Sequence, residues 1–76
     1  MIEDVIKQRK KERIPIKDIA GMTGYSIYWI YRVESGERRV SKDFIEKYTK
    51  AVDYYTELKK KLKMAVDIFK NIPPVV

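Results

Sequence analysis

The sequence predicts an all-α fold, and three observations carry that expectation. From Ser41 to Ile72 there is neither glycine nor proline, and apolar residues fall at Phe44, Tyr48, Ala51, Tyr55, Leu58, Leu62, Ala65, Phe69 and Ile72. Those steps of four and three are the seam of a coiled coil or of a long bundled helix. Near the N-terminus, Ile2, Val5, Ile6 and Arg9 lie at i, i+3, i+4 and i+7, a narrow helical stripe ending in a charge. Between these two, the stretch from Ile19 to Gly36 sets a small residue, a glycine and an isoleucine at the spacing of two short helices meeting at a tight turn. Four to five helices are expected, the last of them extended.

Size and composition narrow the function. A chain of 76 residues makes one domain. It buries only about 60 % of its unfolded surface, so it gains much from association. There is no cysteine and no histidine, which removes disulfides, thiol nucleophiles and the usual general base and metal-binding nitrogen. The remaining carboxylates and lysines are scattered at helical spacing, with no convergent constellation, so neither an enzyme nor a cofactor or metal site is expected. The net charge of +6, from 17 Lys and Arg against 11 Asp and Glu, points to a polyanion, nucleic acid before an anionic membrane. No apolar run is long enough to span a bilayer and the N-terminus carries no leader-like apolar stretch, so a cytoplasmic location is expected. Abundant Lys, Glu and Ile with one Asn and one Gln suit a hot-living source or its virus or plasmid.

Taken in order, residues 2–13 read as the first helix, with Glu3 and Asp4 in the first turn and the basic run at the end, as the helix dipole prefers. Pro15 stops it by about Arg13. The second helix runs from Pro15 or Ile16 to Thr23, with Ile19 and Met22 as core contacts and Ala20 where another helix comes close. Gly21 costs it about 1 kcal/mol relative to alanine. Gly24 is placed to stop it in the left-handed conformation, and Ser26 to cap the next element.

Residues 27–35 carry two readings. Locally IYWIYRVES is strand chemistry, and Ser35-Gly36 could turn a hairpin over about 27–40, giving a winged variant. As a helix, the segment puts Ser26, Ile30 and Val33 on one face and turns Tyr28 and Arg32 away. Tyr31 and Ile27 then lie on one flank and Trp29 on the other. Helix is preferred, because Ala20, Gly24, Ile30 and Val33 together meet the spacing of paired short helices, whereas a hairpin explains only the glycine.

The quoted residues also resemble a family. Ile19-Ala20-x-x-x-Gly24-Tyr25-Ser26-x-x-x-Ile30-Tyr31-Arg32-Val33-Glu34-x-Gly36 is similar to the helix–turn–helix of the Cro/CI-type, lambda-repressor-like DNA-binding proteins. Looser likeness extends from Val5 to about Val52. The resemblance implies a partly buried pair between Arg9 and Glu34. It places Ile27, Tyr28 and Arg32 at base-facing positions, of which Arg32 is the conventional reader, its fork matching guanine O6 and N7. It puts Arg38, Arg39 and Lys42 along the DNA backbone, and the hydroxyls of Ser26 and Tyr31 are further candidates for phosphate contacts. The chain departs from the pattern at Thr23, where an aliphatic residue is usual, at Pro15, and in the bulk of Ile27, Tyr28 and Trp29.

From Ser41 the last helix is expected first to pack Phe44, Ile45, Tyr48 and Val52 on the preceding helices. Leu58, Leu62, Ala65, Val66, Phe69 and Ile72 are left for dimerisation, with Lys59, Lys60, Lys61 and Lys63 keeping that segment soluble. Residues 1–52 form the expected helix–turn–helix domain, 53–72 the dimerisation helix and 73–76 a frayed tail. The expected protein is a sequence-specific regulator, a repressor that binds a palindrome in double-stranded DNA as a homodimer, with no small-molecule substrate. The alternative is a protein-interaction module, an antitoxin or viral adaptor, gripping a partner through Tyr28, Trp29 and Tyr31.

Overall fold

The computed structural model describes residues 2–37 and 39–71, and of residues 66–71 the backbone alone. Among the described residues there are four helices and no strand: α1 (Ile2–Lys11), α2 (Ile16–Thr23), α3 (Ile27–Glu34) and α4 (Lys42–Asn71). The chain is all-α. The hairpin alternative over 27–40 does not form, because residues 27–34 are helical. Strand propensity loses there to two things. Ser26 Oγ accepts the Trp29 amide at 3.1 Å and starts the helix, and Ile30 and Val33, one turn apart, both go into the core. Tertiary burial of that kind outweighs a few tenths of a kcal/mol per residue of intrinsic preference.

Each short helix ends on a left-handed residue. α2 stops at Gly24, φ 80°, whose amide donates to the Ala20 carbonyl at 3.0 Å. α3 stops at Gly36, also φ 80°. There the Gly36 amide bonds the Val33 carbonyl and the Glu37 amide the Arg32 carbonyl, the paired closure of a Schellman motif. α1 ends two residues earlier than the sequence suggests, by the same motif. Arg13 amide bonds the Lys10 carbonyl and Ile14 amide the Arg9 carbonyl, with Arg13, not a glycine, at φ 55°.

The core is formed by Ile14, Ile19, Ile30, Val33, Phe44, Tyr48, Ala51 and Val52, with Ile2, Val5, Ile6, Ile16, Ala20, Tyr25, Trp29, Val40 and Tyr55 packed around it. Met22 is not a core contact: it is 47 % exposed, while Thr23 is buried in its place. The reason is angular. The inward face of α2 is Ile16, Ile19, Ala20 and Thr23 at i, i+3, i+4 and i+7, and Met22 falls well off that stripe. Thr23 is tolerated inside because its hydroxyl donates to the Ile19 carbonyl at 2.8 Å and accepts from the Tyr25 amide.

α4, thirty residues long, is the spine. Its first half carries the core residues just named, and contact with α1 continues to Thr56, whose hydroxyl accepts from Gln8 Nε2 at 3.2 Å, and to Lys59, whose ammonium donates to the Glu12 carbonyl. Beyond that the helix projects. The molecule measures 59 × 21 × 18 Å with a radius of gyration of 16.0 Å, against about 11 Å for a compact chain of this length. No helix among the described residues is long and apolar enough to cross a membrane.

Candidate nucleic-acid interface

The two short helices are locked to the body by a polar cluster that the sequence shows only in part. Arg9 and Glu34 pair as the resemblance implies: Nε donates to Oε2 and Nη2 to Oε1, both at 2.7 Å. The remaining guanidinium nitrogen, Nη1, donates to the Ile14 carbonyl at 2.9 Å, and the Tyr48 hydroxyl donates to Glu34 Oε2 at 2.8 Å. One arginine thereby ties α1, the α1–α2 link and α3 together, and Tyr48 adds α4. Burial works against the charged guanidinium, but the bonds and charge of Glu34, with Tyr48 beside it, hold its pKa above the ordinary arginine value. Burial, followed by the bond to Glu34 and its charge, pushes the Tyr48 phenol well above its ordinary range. Tyr48 reads as one more seam residue in sequence, and its hydroxyl gives no sign of this role there.

A second pin fixes the α2–α3 turn to the start of α4. The Tyr25 hydroxyl donates to Asp43 Oδ2 at 3.0 Å, and the Tyr25 ring meets Phe44 edge-on at 4.8 Å and stacks on Trp29 at 6.4 Å. The bond from Tyr25, then the contact with Lys47, hold the Asp43 carboxyl below its usual range. Ser26 and Lys42 adjoin this bonded pair in the chain, so the N-terminus of α3 and the N-terminus of α4 come to the same edge of the molecule. Ser41 Oγ caps α4 by accepting the Phe44 amide at 3.1 Å.

α3 presents its outer face from this scaffold. Ile27, Tyr28 and Tyr31 are 44 %, 64 % and 59 % exposed, a large apolar and aromatic surface on one two-turn helix. Arg32 lies in the same face, half-buried, with its guanidinium carbon 4.5 Å from the centroid of the Tyr28 ring and its Nε 3.8 Å from Glu37 Oε2. Trp29 does not belong to this surface. It is partly buried and packs against the core, so the aromatic face comprises Tyr28 and Tyr31, joined by Ile27. Of the residues expected along a DNA backbone, Ser26, Tyr31, Arg39 and Lys42 are all exposed, and Arg38 lies outside the described residues. Glu37 joins this surface through its contact with Arg32. Its signal in the sequence is an acidic residue directly after a helix-ending glycine, one turn beyond an outward arginine.

The exposed part of α4 carries the residues expected to dimerise. Leu58, Leu62 and Ala65 are exposed, Leu62 at 58 %, and Tyr54 continues their strip toward the body. The side chains of Val66 and Phe69, and Ile72 and the tail 73–76, lie outside the described residues. Elsewhere a groove of about 550 Å³ between α1 and α4 is lined by Asp4, Lys7, Gln8, Lys11, Glu12, Thr56 and Lys60. Five of these residues carry charge, of mixed sign. Among the described residues no group of three acidic side chains could hold a metal ion.

No protein-family model matches the chain, and no curated protein and no solved structure matches it either.

Proposed function

We propose that this chain is a sequence-specific duplex-DNA-binding regulator in which α2 and α3 form a Cro/CI-like helix–turn–helix and α3 enters the major groove. The observation that carries the reading is the division of α3. It buries Ile30 and Val33 and turns Ile27, Tyr28, Tyr31 and Arg32 outward, from a protein of net charge +6. Arg32 is the reader of guanine, Ile27 packs on thymine methyl groups, and Tyr28 and Tyr31 complete the contact surface. Ser26, Arg38, Arg39 and Lys42 follow the phosphates.

In the same proposal, residues 1–52 are the DNA-binding unit, and the projecting part of α4 pairs with a second copy through Leu58, Leu62, Ala65, Val66, Phe69 and Ile72. Two recognition helices then meet successive major grooves about 34 Å apart on a palindromic site. Repression by occluding a promoter follows from the resemblance alone.

The experiment compares two alanine substitutions. Arg32→Ala should lower discrimination between duplexes by about 1–3 kcal/mol. Arg39→Ala should weaken binding to all of them alike and reduce the slope of log K against log salt by about 0.9. If neither touches DNA binding, the exposed trio Ile27, Tyr28 and Tyr31 favours the second reading, a surface that grips a protein partner.

A further inference from the structure

We infer that Tyr28 and Glu37 are positioning residues for Arg32, which set how its guanidinium meets a base and keep it off the phosphates. The inference rests on the duplex-DNA reading above and gives Tyr28 a different part from that of a base reader.

An arginine on an exposed helix has many rotamers, and a fork that wanders reads poorly. Arg32 is confined on two sides. One turn earlier on the helix, the Tyr28 ring lies under the guanidinium, 4.5 Å from the centroid, where the negative face of the ring attracts the cation. Past the left-handed Gly36, whose turn is fixed by the paired amide bonds at the end of α3, Glu37 Oε2 reaches Nε at 3.8 Å. The ring thus backs one side of the guanidinium, and the carboxylate stands beside its Nε as an ion pair too long for a hydrogen bond. Neither contact uses Nη1 or Nη2, whose paired donors are of the kind that fit O6 and N7 of guanine. The face of the Tyr28 ring is already occupied by the cation, so its contribution is to hold Arg32.

Glu37 adds a second effect. A carboxylate beside the reader repels phosphate oxygens, so a loose backbone contact that uses Arg32 as a point charge is disfavoured on any sequence. A base contact made through Nη1 and Nη2 leaves the Nε side with its partner. The pair is long and exposed, with side chains 36 % and 62 % accessible, so it biases the arginine without locking it.

The test uses the full chain, a duplex carrying its preferred site, and the same duplex with adenine at the guanine whose discrimination Arg32→Ala abolishes. The ratio of the two affinities is measured across a salt series for wild type, Tyr28→Ala, Tyr28→Phe and Glu37→Gln. Helical circular dichroism serves as a folding control, which these exposed positions should pass. Tyr28→Ala should cut the ratio about tenfold with an unchanged salt slope, and Tyr28→Phe, which keeps the ring, should retain it. Glu37→Gln should tighten binding to both duplexes and narrow the ratio. The inference is overturned if Tyr28→Ala keeps the wild-type ratio, or if phenylalanine loses as much as alanine, which would make the hydroxyl the contact. A wild-type protein that binds duplexes without discriminating among them overturns the DNA reading itself, and this inference with it.

Discussion

Arg9 of α1 and Glu34 of α3, twenty-five positions apart in the chain, face each other fork to fork through two hydrogen bonds of 2.7 Å. Their side chains are only 11 % and 6 % accessible, and the bonds to the Ile14 carbonyl and from the Tyr48 hydroxyl use the remaining edge of the arginine and one carboxylate oxygen again. A pair so enclosed is costly to break from one side. Arg9→Ala or Glu34→Ala alone should destabilise the fold by about 3–5 kcal/mol, because each leaves a buried charge without its counterion. A small domain has only about 5–15 kcal/mol to lose. Arg9→Met with Glu34→Leu should cost less than either single change. Urea unfolding of all three measures this, and a double variant weaker than both singles would contradict it.

Tyr48 makes the same cluster sensitive to alkali. Its phenol stays protonated in the folded protein well above the pH at which an unfolded tyrosine ionises, about 10. Above that pH the folded state holds a proton that the unfolded state has lost, so the unfolding free energy falls as pH rises and is flat below. Tyr48→Phe should cost about 1.5–3 kcal/mol at neutral pH, the worth of a hydrogen bond to a charged group. It should also flatten the alkaline decline. Parallel melting curves for the two proteins between neutral pH and pH above about 10 would argue against it.

Two backbone positions offer gains in stability. A methyl group added at Gly21 meets nothing within 4 Å, and the residue is helical and exposed, so Gly21→Ala should stabilise by about 1 kcal/mol. Arg13 holds a left-handed conformation, φ 55°, at a cost of about 1–2 kcal/mol for a residue with a Cβ. Arg13→Gly relieves that cost but frees the unfolded chain by about 0.4–1 kcal/mol, so the net gain should lie between about zero and 1.6 kcal/mol. Thermal unfolding reads both. A loss at Gly21 would reveal a close approach that the fold does not show.

The exposed strip on α4 makes its own prediction. Leu58 and Leu62 are exposed in the single chain, so a charge there should leave the core intact. Leu62→Glu should turn a dimer into a monomer in sedimentation equilibrium, with α-helical content kept for the body of the molecule. A wild-type protein that is already monomeric at high micromolar concentration would remove this part of the account.

Much of the fold is legible because period and punctuation agree. The stripe of α1, Gly24 placed to stop α2, the cap at Ser26 and the seam of α4 each predict an element that forms, with α1 two residues shorter than expected. The less legible parts depend on contacts between distant segments. Ile14 lies in a link between helices and has no period to mark it, yet it is fully buried. Thr56 is polar and sits off the seam, and is buried because α1 crosses α4 there. Met22 looks like core and is not, since apolarity without phase says nothing about direction. At the candidate interface, Arg9, Glu34 and Arg32 stand out in the sequence. The contact of Glu37 with Arg32 does not, because it depends on the turn that Gly36 makes, whereas Tyr28, four residues before Arg32, is within reach by helical spacing alone. Trp29 is ambiguous in one dimension and is drawn inward by its stacking on Tyr25.

The proposal that α3 reads duplex DNA is tested most directly by selecting binders of the purified protein from random duplexes and footprinting the winner. The winner should be a palindrome whose half-sites are centred about 34 Å apart, roughly one helical turn, with guanine at the position that Arg32→Ala relaxes. A selected pool with no shared sequence, or a single unpaired half-site protected by one protein chain, would contradict it.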